Sequence, residues 1–218
     1  MKLALTLATL SALAGPVVMG VAPARGAMLV TDPHVYPVTS NHRVRLEFPV
    51  GELKVLATDE PHVRFDLRVR CRRWSDERCA EMADRLILDS DDTGGTLNLK
   101  LHKFPHWNNH GMTVIGTLSV PRTLAVDIEM GVGELTISGI EGDLDVQLGV
   151  GEADIRALRS RAGHVTVDTG IGDADIHGGG SGTRSRGFIG SHAVWDEGQG
   201  RASVRLHVGV GDASVRLE

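Results

Sequence analysis

Aromatic side chains are scarce in this sequence, with 4 Phe, 3 Trp and 1 Tyr among 218 residues. An interior must therefore rest on Val, Ile, Leu and Ala. Cysteine is reduced to Cys71 and Cys79, and their spacing is not C-x-x-C, which excludes the usual dithiol redox motif. Basic excess is missing too. The formal net charge of −5 argues against nucleic acid or anionic lipid as the main partner. No Pro/Gly low-complexity tract and no G-X-Y period occurs, so collagen and disorder are out. G-x-S-x-G and H-E-x-x-H are absent, and no nucleophile–base pair is evident.

Long apolar runs are missing everywhere but at the start. Lys2 precedes an apolar stretch from Leu3 to Val21, then the small-x-small site Ala22-Pro23-Ala24. This reads as a secretory signal peptide over 1–24, cleaved after Ala24. Pro16, Gly15 and Gly20 argue against a membrane anchor. Losing Lys2 takes the net charge to −6. In an exported chain the cysteine pair reads as a disulfide, a staple worth about 2–3 kcal/mol on the chain-entropy model.

Glycine, by contrast, is abundant: 27 residues, nearly twice the usual share. Nineteen fall within Gly131–Gly211, and only five between Met28 and Met130. Aligning that half on its glycines reveals a phrase: Val132-Gly-Glu-Leu-Thr-Ile, Val150-Gly-Glu-Ala-Asp-Ile, Ile171-Gly-Asp-Ala-Asp-Ile and Val210-Gly-Asp-Ala-Ser-Val. A degenerate copy, Ile189-Gly-Ser-His-Ala-Val, fills the one gap, giving spacings of 18, 21, 18 and 21. A sixth copy, Val50-Gly-Glu-Leu-Lys-Val, stands far upstream.

Around each phrase the pattern alternates. Leu144, Val146, Leu148 and Val150 are interleaved with Asp143, Asp145, Gln147 and Gly149, and Ala153 and Ile155 follow. Such period-2 runs are strands with one buried face. At the Gly-acid step the apolar set shifts by three residues, so the strand turns a corner there. Gly51, Gly133, Gly151, Gly172, Gly190 and Gly211 are the expected corner glycines. Self-similarity at about 20 residues predicts an all-β, single-chain parallel β-solenoid (β-helix), each rung buried on its neighbours. An antiparallel β-sandwich is the competing architecture.

The first rung starts near Asn41, behind a leader over 25–40. Val63, Phe65, Leu67, Val69 and Cys71 alternate as a strand, and Ser75 caps a helix expected over about 75–86. Residues 56–118 read as an insertion or cap within a solenoid domain over 41–218.

The segment Leu118-Ser-Val-Pro-Arg-Thr-Leu-Ala-Val-Asp-Ile, followed by G-x-G-x-φ-x-φ rungs, resembles a bacterial family of β-strand-repeat domains of unknown function labelled putative adhesins. The resemblance covers about 118–218, and 41–56 more loosely. The segment with Cys71, Trp74 and Cys79 matches no known pattern. The resemblance implies a parallel β-solenoid exported to the envelope and carries over no catalytic residue.

Two metal candidates stand out. The second residue of each phrase step gives Glu52, Glu134, Glu152, Asp173 and Asp212, a carboxylate ladder if rungs stack at ~4.8 Å. Gly-acid steps serve turns equally well. His102, His106 and His110 form an H-x₃-H-x₃-H string, but Pro105 and Asn108-Asn109 make it a loop. Phe104 and Trp107 in that loop are a candidate recognition patch for a glycan or protein. His192 takes an inward position beside Trp195. The acids Asp143, Asp145, Asp154, Asp168 and Asp175 are interspersed with arginines like a solvated face.

The sequence thus predicts a non-catalytic, cofactor-free binding or structural protein of the periplasm or bacterial surface, with a glycan or envelope protein as partner. A carbohydrate-active β-helix enzyme, lyase or hydrolase, is the alternative. Another is a self-assembling scaffold, because a strand over 202–218 leaves an open C-terminal edge for end-to-end association.

Overall fold

The computed structural model describes residues 27–72, 75–104, 111–178, 183–185 and 189–218. The expected signal peptide, Trp74, His106, Trp107 and His110 lie outside them. In chain order come β1 (Ala27–Val30), β2 (His34–Pro37), β3 (Arg43–Thr58), β4 (His62–Cys71) and the helix α1 (Asp76–Ala83). Then follow β5 (Ile87–Thr93), β6 (Thr96–His102), β7 (Met112–Pro121), β8 (Ala125–Ser138) and β9 (Leu144–Ala157). The last are β10 (Ala162–Ile171), β11 (Ala174–His177), β12 (Thr183–Ser185), β13 (Ser191–Trp195), β14 (Ala202–Val210) and β15 (Ala213–Leu217).

These strands form one 15-stranded mixed sheet, and this corrects the parallel solenoid. Strands β3, β8, β9, β14 and β10 are parallel neighbours in that order, so the phrase at Val210 lies between those at Val150 and Ile171. A progressive winding would have put β10 on β9. Antiparallel pairs close both ends: β4 on β7, with β1 and β2 on β4, at one end, and β13 on β10 at the other. Two further antiparallel pairs, β5 on β6 and β11 on β12, lie beside them. The expectation of an open C-terminal edge falls with the same finding. The final strands are internal, β14 between β9 and β10, and β15 between β9 and β11.

The long strands bend at their Gly-acid steps, dividing the sheet into two halves over a shared core. Before the bend β3 pairs with β6 and β8; after it, with β7 and β8. Phe48, before the bend, and Leu53 and Phe65, after it, all lie within 3.2 Å of where a Cβ on Gly116 would sit. The core is aliphatic, as the composition requires, with Leu144, Val146, Leu148, Ala153 and Ile155 of β9 all buried.

The bend differs from its reading in one respect. Buried positions run to Leu148 and resume at Ala153, while Val150 is 45% exposed. An odd number of steps separates Leu148 from Ala153, so the phase flips, and Gly149 to Glu152 absorb it. The leading Val of the phrase therefore faces solvent.

Residues 56–118 are woven into the sheet through β4, β6 and β7. The 25–40 leader supplies β1 and β2, which were not evident because Met28, Val30 and Val35 are exposed. Helix α1 is shorter than its apolar spacing predicts; Ser75 Oγ accepts from Arg78 N–H, and Asp84 ends it. Cys71 and Cys79 are bonded, tying α1 to β4 over a separation of 8 residues. Replacing both by alanine is expected to lower stability by about 2.5 kcal/mol, read as a shift in guanidinium midpoint.

Candidate functional site

The stacked phrases put their carboxylates in one column. Glu52 pairs in register with Glu134, and Glu134 with Glu152. Asp212 comes next, its carbonyl accepting from Ala153 N–H at 3.0 Å. Asp173 ends the column, and its N–H donates to Asp212 Oδ1 at 3.0 Å. The spatial order is thus Glu52, Glu134, Glu152, Asp212, Asp173, not the chain order.

Three of these acids, Glu134, Glu152 and Asp212, rim a shallow cleft of ≈ 270 Å³ on the outer face of the second half-sheet. Thr136, Asp154, Ser214 and Arg216 also line it. Arg216 pairs with Asp154 at 3.2 Å, so the arginine is committed to its own rung neighbour. That Ser214 and Arg216 join the cleft was not evident in the sequence, because β15 reaches β9 only through the inserted order.

No group of three or more His, Cys, Asp or Glu able to hold a metal occurs among the described residues. Strand spacing of ~4.8 Å makes each pair of stacked carboxylates repel by roughly 0.9 kcal/mol in water. Glu152, flanked by Glu134 and Asp212, carries two such repulsions. Glu152→Gln is therefore expected to raise stability by about 0.5–1 kcal/mol in low salt, with the gain fading at high ionic strength. Chemical denaturation at two salt concentrations checks this; a loss of stability would contradict it.

The other candidates disperse. His102 pairs with Asp89 at 2.9 Å on the β5–β6 hairpin. Phe104 is half-buried and packs edge-to-face with Phe48, with ring centroids 6.4 Å apart and planes at 83°. His192 corrects an inward reading. Ser191, Ala193 and Trp195 are buried and His192 points outward to Asp168, because β13 runs antiparallel and lies one residue out of phase with the phrase. Asp145 pairs with Arg205 at 3.8 Å, and Asp143 accepts from Ser203 N–H at 2.9 Å. On the other side of the bend Glu47 binds Lys100, raising the ammonium pKa chiefly through that hydrogen bond and charge, with Glu129 and Asp89 adding to it.

No protein-family model matches the chain, and no curated protein does. A putative cell adhesion protein from Clostridium sporogenes matches in structure, with TM-score 0.51 and 15% identity, over 86% of this chain and 99% of that one. The likeness is one of fold. A putative adhesin from Bacteroides fragilis aligns over 90% of this chain and 100% of its own at 11% identity and TM-score 0.22. A putative lipid binding protein from Parabacteroides distasonis aligns over 67% and 70% at 13% and 0.24. Scores this low carry no argument about this chain.

Proposed function

We propose that this chain is a non-catalytic binding protein of the bacterial envelope, exported by cleavage of residues 1–24. The observation that carries the reading is the carboxylate column, five rungs deep and in register. Catalytic centres converge unlike groups on one reacting atom. This surface instead repeats like groups along a line, which suits an extended partner. The fold shared with a protein described as a putative cell adhesion protein supports the same reading, as does a disulfide suited to an oxidising compartment. No described helix is long and apolar enough to cross a membrane.

The test has two arms. The chain from Arg25 onward is incubated with a panel of acidic and neutral polysaccharides, and no new reducing or unsaturated ends are expected. The same protein is applied to a glycan array and to envelope fractions; binding that falls with Glu134→Lys and Glu152→Lys is expected. Polysaccharide turnover would overturn the reading in favour of a carbohydrate-active enzyme.

A further inference from the structure

The outward-facing aliphatics of the bend form a line of their own. Val50, Val132, Val150, Val210 and Ile171 are paired rung to rung in that order. Val50, Val150, Val210 and Ile171 are 38%, 45%, 44% and 44% exposed. Ile189, 76% exposed, extends the line, since Gly190 N–H donates to Gly170 O at 2.9 Å. Nothing in the phrase pattern requires Val or Ile at a solvated bend, where a polar residue would serve the turn as well. Exposed aliphatics standing in a continuous, rimmed row mark an interaction surface.

The row stands clear of other side chains. Glycine precedes each aliphatic at Gly131, Gly149, Gly209 and Gly170, with Pro49 on the first rung, and glycine follows each at Gly51, Gly133, Gly151, Gly211 and Gly172. Beyond the glycines, one side is acidic and the other is mixed. One flank is the column from Glu52 to Asp173, where no ion pair joins Glu134 or Glu152 to a cation among the described residues. The other carries Glu47, Glu129, Gln147, His207 and Asp168 in rung order, with Glu47 bound to Lys100 and Asp168 to His192.

That charge pattern selects the occupant. An anionic bilayer would be repelled by the acid column, as would a second copy that set its own column against it. A cationic partner is favoured along the column side of the apolar row. Spacing selects its conformation. Rungs repeat at ~4.8 Å, so five rungs run roughly 19 Å. A helix offers one apolar residue per turn of about 5.4 Å, and some 14 residues span the row. An extended chain repeats its faces at about 6.8 Å and falls out of step by the second rung.

Resting on the binding role proposed above, we infer that the bend is a docking ridge for a cationic amphipathic helix of a partner protein, laid across the rungs. Its apolar stripe covers Val132, Val150 and Val210, and its Lys or Arg side chains reach the acid column.

The probe is a fluorescently labelled Leu/Lys peptide of about 18 residues with one apolar face. The controls are a scrambled peptide of identical composition and phosphatidylcholine–phosphatidylglycerol vesicles. Binding to the signal-free chain by anisotropy is expected, about tenfold tighter than for the scramble. It should fall about tenfold in Val150→Ser/Val210→Ser and in Glu134→Lys/Glu152→Lys. These positions are surface-exposed, and unchanged melting confirms that the variants fold. Equal binding of peptide and scramble would overturn the inference, as would indifference to the valine pair. Vesicle binding, or a dimer by light scattering that Val150→Ser/Val210→Ser abolishes, would overturn it in favour of a bilayer or a second copy. If the peptide fails while envelope or glycan binding still responds to the Glu variants, the ridge falls and the binding role stands. Polysaccharide turnover would strike the binding role itself.

Discussion

Gly151→Ala is expected to cost about 4 kcal/mol or more, while Gly95→Ala costs about 1 kcal/mol. Both glycines have positive φ, +144° and +79°. The difference lies in what a methyl group would meet. At Gly95 a Cβ would have nothing within 4 Å. At Gly151 it would lie 1.8 Å from Gly133 O, 2.8 Å from Gly133 C and 3.1 Å from Gly133 N. All three are main-chain atoms, so no side chain can swing aside.

The backbone cannot retreat either. A Cβ on Gly133 would meet Gly51 O at 1.8 Å, and one on Gly211 would meet Gly151 O at 1.8 Å, so the rungs are in close contact on both sides. Relieving one clash transmits the shift to the next rung. Overpacking of a core costs about 1–3 kcal/mol, and a disallowed φ for an L-residue adds a similar amount. The sum, about 4 kcal/mol or more, takes a large part of the 5–15 kcal/mol that holds a domain folded. Circular dichroism melts and guanidinium midpoints of the two variants give the comparison. A Gly151→Ala protein within about 1 kcal/mol of the parent would refute the close-stacked bend.

The strand faces were legible because alternation is a local property. Leu144, Val146 and Leu148, then Ala153 and Ile155, read as inward from spacing alone and are inward. Neighbour order was not legible. Every phrase offers the same buried and exposed positions, so the pattern is satisfied equally whether β10 or β14 lies on β9. The decision rests on non-local pairing, which no repeat length encodes. Phase at the bend was lost for a related reason: Val150 continues the period of Leu148 in sequence, yet the left-handed Gly151 turns the chain before the alternation resumes.

The candidate site divides along the same line. That acids would stack followed from the phrase, and Glu52, Glu134 and Glu152 do stack. That Asp212 would stand beside Glu152, bringing Ser214 and Arg216 into the cleft, depended on the insertion of β14 and β15. His192 was misplaced because its rung resembles the phrase while its strand runs antiparallel.

Deleting residues 202–218 is expected to leave a chain that neither melts cooperatively nor stays monomeric. In a progressive winding the last rung is an outer layer, and its loss would merely shorten the stack. Here it is a central strand. Its removal strips β9 and β10 of their shared neighbour and β11 of its link to β9. Val204, Leu206, Val208, Val215 and Leu217, all at most 6% exposed, leave the core together. At about 1.5–3 kcal/mol for each side chain, that burial is of the order of the whole folding free energy. Two newly bare parallel edges then face solvent with their hydrogen-bonding groups open, which is the condition for edge-to-edge aggregation. The point variant Leu206→Ala grades the effect: the side chain is 1% exposed, and about 3 kcal/mol is expected from its truncation. Size-exclusion chromatography with light scattering and a thermal melt, run on both variants, separate the two architectures. A soluble, cooperatively melting monomer lacking 202–218 would place the C-terminal strand at the edge and refute its central position.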